Sequence, residues 1–168
     1  MTLKIAYTAA AAVDIDPEAS ASSATFVAGA ESAAVSNSIN LFDDVLLSGL
    51  ITVGTTPTVD TQIQIWIVAA RNETPTWPDV MDGTKSKPET WTSVGIRNGA
   101  AELLHTLTVD ATTSDRGYEF SGKSVAALFD GVMPDDWLVW ITHNTGVNLN
   151  ATAGNQIIEY IGIHYADV

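Results

Sequence analysis

A chain of 168 residues, 46% of them hydrophobic, carries enough apolar material for one packed core, which excludes wholesale disorder. Its 7 Lys+Arg against 20 Asp+Glu leave a net charge of −13, which argues against nucleic acid and against an anionic membrane surface as main partners. Cysteine is absent, so disulfides, iron–sulfur clusters, zinc–thiolate sites and cysteine nucleophiles are excluded.

Residues 1–20 read as an N-terminal arm and residues 21–168 as one β-sandwich domain. The arm opens Met1-Thr2-Leu3-Lys4-Ile5-Ala6-Tyr7, continues with the alanine run Ala9 to Ala12, and meets Asp14 and Asp16 directly afterwards. A signal peptide needs a longer Leu-like run, so this start is expected to be mature sequence. No stretch approaches the ~18 apolar residues that span a bilayer. Asp16-Pro17-Glu18 has the chemistry to cap a turn. The Ala/Ser-rich segment 19–35 is expected to hold a strand over Ala24 to Ala28.

Further along, Val45, Leu47, Gly49, Ile51 and Val53 alternate with Leu46, Ser48, Leu50 and Thr52, which predicts a strand. The clearest strand follows at 62–68, with Ile63, Ile65 and Ile67 on one face and Gln62, Gln64 and Trp66 on the other. Gly54 to Thr58 joins the two as a turn or short loop. Trp66 lies opposite the isoleucines, so that second face is expected to be covered, by the long loop or by a neighbouring chain. Residues 71–92 hold Pro75, Pro78, Pro88, Trp77, Trp91 and Gly83 without any period and read as that loop.

Asn98-Gly99 predicts a type I′ turn between strands at 92–97 and 100–109, with Leu103, His105, Leu107 and Val109 on one face. Ser124 can cap a short helix, Val125 to Asp130, that Gly131 stops. Residues 137–143 are apolar on both faces and read as a central or doubly covered strand. Asn144 to Asn150 is a loop, and 156–165 is the last strand. With roughly seven or eight short strands and one brief helix, the expected fold is all-β, an antiparallel two-sheet sandwich and within that class a jelly roll.

A search for chemistry finds isolated groups. His105, His143 and His164 stand singly, and the first two sit in apolar strand patterns, where satisfied core histidines are expected rather than ligands. The carboxylate pairs Asp14 with Asp16, Asp43 with Asp44 and Asp135 with Asp136 do not follow an EF-hand loop and read as solvated turn residues. There is neither a Gly-x-Ser-x-Gly elbow nor a phosphate-binding Gly-rich loop, so no enzyme, no catalytic residue and no cofactor or metal is expected. Trp77 and Trp91 either stack on a sugar from an exposed loop or plug a core or subunit interface. The triplets Asn72-Glu73-Thr74 and Asn150-Ala151-Thr152 match a glycosylation pattern, to which no weight attaches without a secretory signal.

Several segments carry a resemblance. Leu46 to Gly54, then Pro57 and Thr61 to Ile67, the Trp77 to Gly83 loop, and Thr142 to Asn150 with Gly154-Asn155-Gln156 are together similar to a family of small virion structural proteins of tailed bacteriophages. The likeness runs over roughly residues 20–165 and consists of strand and turn patterns. It implies a virion component. A β-sandwich without a catalytic constellation then fits a capsid decoration, or cement, protein bound to the major capsid protein and to itself as a homodimer or homotrimer. Leu3, Ile5 and Tyr7 of the arm, with Trp77 and Trp91, are the expected partner-interface residues. The alternatives are a carbohydrate- or receptor-binding module on head or tail, and a minor tail or connector protein; a hydrolase comes last.

Overall fold

The computed structural model describes residues 3–72 and 74–167. Met1, Thr2 and Val168, which belong to the two expected domains, and Glu73, from the first glycosylation-type triplet, lie outside the described residues. The strands are β1 (Leu3–Tyr7), β2 (Ala11–Ala12), β3 (Ala28–Glu31), β4 (Val35–Ser36), β5 (Asp44–Thr52), β6 (Thr61–Ala69), β7 (Ser86–Thr90), β8 (Glu102–Val109), β9 (Gly117–Ser124), β10 (Asp136–His143) and β11 (Gln156–Asp167). One helix, α1 (Val94–Ala100), precedes β8, and a 3₁₀ turn spans Ala126–Phe129.

The strands form two antiparallel sheets. The first has the order β1-β11-β5-β9, with β2 prolonging β1 along β11. The second has the order β7-β3-β10-β6-β8, with β4 prolonging β3 along β10. The fold is therefore the two-sheet antiparallel sandwich that the alternating pattern predicts. The linker Gly54 to Thr58 carries the chain from β5 in the first sheet to β6 in the second, so it is a crossover between layers.

Period two builds the interlayer core. Val45, Leu47 and Ile51 of β5 meet Ile63, Ile65 and Ile67 of β6 and Val139 and Ile141 of β10. All eight are almost completely buried, and each such side chain contributes about 1.5–3 kcal/mol by leaving water. Trp137 of β10 reaches across the layers to Tyr160 of β11, edge to face, with ring centroids 5.8 Å apart.

A second, smaller core lies on the outer face of the second sheet. Trp66 and Val68 of β6 and Leu138 and Trp140 of β10 point outwards there and are covered by Met81, Trp91 and Ala101. The cover is the 70–101 segment of this chain, the long loop expected over Trp66. Trp91 meets Trp140 edge to face at 6.0 Å and 88°. The Arg97 guanidinium stacks 4.4 Å from the Trp66 ring centroid, and Arg97 is 5% exposed. With both faces covered, all eight residues of β10 are buried.

The structure corrects several local expectations. The hairpin turn at Asn98-Gly99 does not form; α1 occupies 94–100. Ser93 caps it, its Oγ accepting the Ile96 N–H at 3.1 Å. Arg97 then reaches Trp66 and donates to the Phe26 carbonyl, contacts that a strand at 92–97 would not place there. The strand expected over Ala24 to Ala28 starts only at Ala28. Phe26 takes a left-handed φ of 55° and donates its N–H to the Ser23 carbonyl at 3.0 Å, closing a turn instead. Within the loop expected over 71–92 lies the edge strand β7. Leu103 leaves the face of His105, Leu107 and Val109: Ile65 pairs His105 while Trp66 pairs Leu103, so Leu104 is the extra residue of a bulge. Leu104 packs against the core and Leu103 is exposed. The strand β9 carries charged and small residues and gave no strand signal.

The indole of Trp91 is 1% exposed, so Trp91→Ala should cost about 3–5 kcal/mol. Urea unfolding of the variant and the parent measures this, and a loss below about 1 kcal/mol would show that the outer core does not support the fold.

Candidate interaction surface

The N-terminal segment runs along β11. Leu3 pairs with Asp167, Ile5 with Tyr165 and Tyr7 with Ile163. Beyond β1, Thr8 donates its N–H to Gly162 O at 3.0 Å and Val13 to Ile158 O at 2.9 Å. The following residues are tied to the other sheet: Asp14 Oδ1 lies 2.6 Å from Lys85 Nζ, and Asp16 Oδ1 lies 3.0 Å from Lys87 Nζ. The expected arm is thus laid against the sandwich over the residues described.

Side-chain alternation decides what this lane presents. Ile158 and Tyr160 of β11 face the core, so Ile157, Glu159, Ile161, Ile163 and Tyr165 face outwards, an apolar row interrupted by the exposed Glu159. Register places Leu3, Ile5 and Tyr7 beside that outer row and Leu46 and Leu50 of β5 on its other side. Leu3 is 61% exposed, Ile5 58%, Tyr7 63% and Tyr165 59%. The outer face of the first sheet therefore carries an apolar stripe across β1, β11 and β5.

The two loop tryptophans are placed apart from this stripe. Trp91 is locked in the outer core of the second sheet, because its ring fills the space above Trp140. It offers no free face to a sugar or to another chain. Trp77 is half-buried against the same core. Gly83 sits beside it with φ +76°, and a Cβ there would lie 2.7 Å from Trp77 Nε1. The sequence thus brings Leu3, Ile5 and Tyr7 together but not Trp77 and Trp91 with them. Tyr165 and the outward isoleucines of β11 belong to the surface too; apolar residues on both faces of 156–165 were the signal.

The remaining polar groups serve the fold. His143, 1% exposed, donates from Nε2 to Ser20 O at 3.0 Å and has Thr145 Oγ1 2.9 Å from Nδ1. Burial holds its pKa below the ordinary value, against the pull of the Ser20 carbonyl. His105 is half-buried 5.8 Å from Phe120 and is shifted down by burial and by Lys123. Asp44 binds the Val45 and Ala126 N–H groups at 2.7 and 2.9 Å and the Ser124 hydroxyl at 2.7 Å. Ser124 in turn accepts the Ala127 N–H at 3.1 Å, so the expected cap holds a 3₁₀ turn. Asp136 is buried at the start of β10. A cleft of about 280 Å³ between the 19–22 loop and Pro88 has one charged lining residue, Lys87, which Asp16 engages. No grouping of three or more His, Asp or Glu among the described residues has metal-binding geometry.

Glu31 is the most deeply buried carboxylate among the described residues. It is fully buried under the 78–84 loop. Its Oε1 accepts the N–H groups of Asp82 and Gly83 at 3.1 and 2.8 Å, while Oε2 is buried without a partner. Burial raises its pKa to about 7; the two N–H groups oppose this, and Asp82 and Glu89 add to it.

No family model matches this chain, and no curated protein or solved structure is significantly similar to it. No helix among the described residues is long and apolar enough to cross a membrane.

The folded state holds the Glu31 proton more tightly than the unfolded chain, whose value is 4.5. Stability from this group is complete below pH 4.5 and is lost as pH rises through about 7, for a total of about 3 kcal/mol. His143 works in the opposite sense as pH falls below 6.5. Glu31→Gln keeps an acceptor for Asp82 and Gly83, so it should flatten the alkaline loss; urea unfolding near pH 5 and near pH 8 compares the two proteins. Equal pH slopes would contradict this assignment.

Proposed function

We propose that the chain is a phage virion structural protein that acts as a capsid decoration protein, an adhesive sandwich bound to the outside of a shell of major capsid protein. The observation that carries the reading is the apolar stripe of Leu3, Ile5, Tyr7 and Tyr165, four side chains each more than half exposed. Exposed apolar patches of this kind mark protein-binding surfaces. The charge pattern supports it: residues 3–13 hold no acidic side chain in a chain of net charge −13. The stripe is where an acidic particle coat can touch protein, and the rest of the surface keeps coated particles apart. The sequence resemblance to tailed-phage virion proteins points the same way. The strand order supports reading the sandwich as a jelly roll: counting β1, β3, β5, β6, β8, β9, β10 and β11 as first to eighth, the facing sheets run 1-8-3-6 and 2-7-4-5.

The mechanism is linkage. A protein that binds the assembled shell and not its free subunits stabilises the shell by its binding free energy, repeated at every site. Burying three half-exposed apolar side chains supplies about 3 kcal/mol of that, roughly a hundredfold in affinity.

The triple variant Leu3→Ser, Ile5→Ser, Tyr7→Ser should fold, because these side chains lie outside both cores, and should bind expanded capsids about a hundredfold more weakly in co-sedimentation. Undiminished sedimentation of the folded variant would exclude the stripe as the lattice contact.

A further inference from the structure

The sandwich has four long edge strands among the described residues, β1, β9, β7 and β8, while β2 and β4 add edge segments of two residues each, too short to template pairing. Three of the long edges are protected against pairing with another strand. β7 carries Lys87 and Pro88. β9 carries Glu119, Lys123 and a left-handed Gly122 with φ +61°. β8 is broken by the bulge at Leu104 and opens with Glu102. β1 has neither proline, glycine nor bulge, and Lys4 is its one charge.

Backbone alternation fixes which groups β1 leaves free. Thr8 donates its N–H to Gly162 O, directly opposite. In an antiparallel ladder such bonded pairs recur at every second residue, so Ala6 and Lys4 also turn their N–H and C=O groups to β11. Consistently, the Ile163 carbonyl, opposite Tyr7, points the other way and accepts the Asp43 N–H at 2.8 Å. The N–H and C=O groups of Leu3, Ile5 and Tyr7 therefore line the open edge.

We propose that the β1 edge is a homodimer interface, in which β1 pairs antiparallel with β1 of a second copy about a two-fold axis through Ile5. Antiparallel pairing of a strand with itself is isologous. Ile5 meets the partner subunit's Ile5, and Leu3 meets the partner subunit's Tyr7. These are the residues whose backbone is free, so each facing pair forms both of its ladder hydrogen bonds. Their side chains lie on one face as aliphatic and aromatic cross-strand pairs, and the two first sheets become one continuous sheet. Charge does not oppose this occupant. A second copy brings another −13, and it can approach where residues 3–13 present Lys4 and no acid. The inference goes beyond lattice binding and does not need it: the dimer forms without capsids and leaves the outward side chains of the stripe available to a shell.

Size-exclusion chromatography with light scattering, on the free full-length chain across a concentration series, tests this. The expected mass is about twice the 17.8 kDa of one chain, falling to one chain on dilution. Ile5→Pro removes the edge N–H without touching the β11 ladder, and Ile5→Glu sets like charges across the axis. Both should be monomeric at every concentration and unfold at the midpoint of the parent diluted to monomer. Should the proline variant fail to fold, the glutamate variant alone decides. Ala6→Pro, whose N–H bonds β11, should lower the unfolding midpoint. A monomeric parent, a trimeric mass, or a dimer that survives Ile5→Glu would overturn the proposal. A monomeric parent that still binds capsids through the stripe would refute the dimer and leave the lattice reading intact.

Discussion

A strand that is apolar on both faces has to be covered twice. β10 is that strand, with Trp137, Val139 and Ile141 on the interlayer side and Leu138 and Trp140 on the other. The interlayer side is satisfied by the first sheet. The other side requires a cover that a two-layer sandwich does not contain, and the chain makes it from residues 70–101. That requirement explains why an otherwise aperiodic segment ends as an edge strand and a seven-residue helix. Each places a side chain over the tryptophans: Trp91 lies just beyond β7, and Arg97 sits on α1.

Covering a sheet with a loop traps polar backbone, which must be bonded or lose its hydration. Glu31 meets part of that need by binding two consecutive N–H groups of the 78–84 loop. Arg97 meets another part through the Phe26 carbonyl, and Ser23 Oγ accepts the N–H groups of Val27 and Ala28, both at 3.2 Å. The cost is a buried carboxyl held up to about 7 and a guanidinium whose burial lowers its pKa. These charged groups serve the cover and have no part in the exposed stripe.

The two sheets are therefore unequal. The second has its outer face covered over β6 and β10; the first leaves its outer face, and the β1 edge, to whatever binds it. Residues 3–13 carry no carboxylate, so an acidic protein can bring this segment close to another protein at low electrostatic cost. Attachment to a shell and pairing with a sister subunit draw on different groups of that lane, the first on outward side chains and the second on edge backbone.

The sequence by itself determined the fold class, the interlayer face of β5 and β6, the burial of 137–143 and the histidine at its end. Period-two alternation is a local property that survives any arrangement of the strands. The resemblance to virion proteins, rather than alternation, pointed to Leu3, Ile5 and Tyr7. Alternation did not determine the fate of Asn98-Gly99, where a turn signal lost to a capped helix whose arginine finds Trp66 far away in the chain. Nor did it reveal β9, whose Gly, Glu and Lys residues show no alternation, or the bulge that turns Leu103 out. Tertiary structure alone decided that Trp91 is core and Tyr165 is surface. Both are large aromatic residues in apolar surroundings, and whether such a residue is buried depends on which segment arrives to cover it.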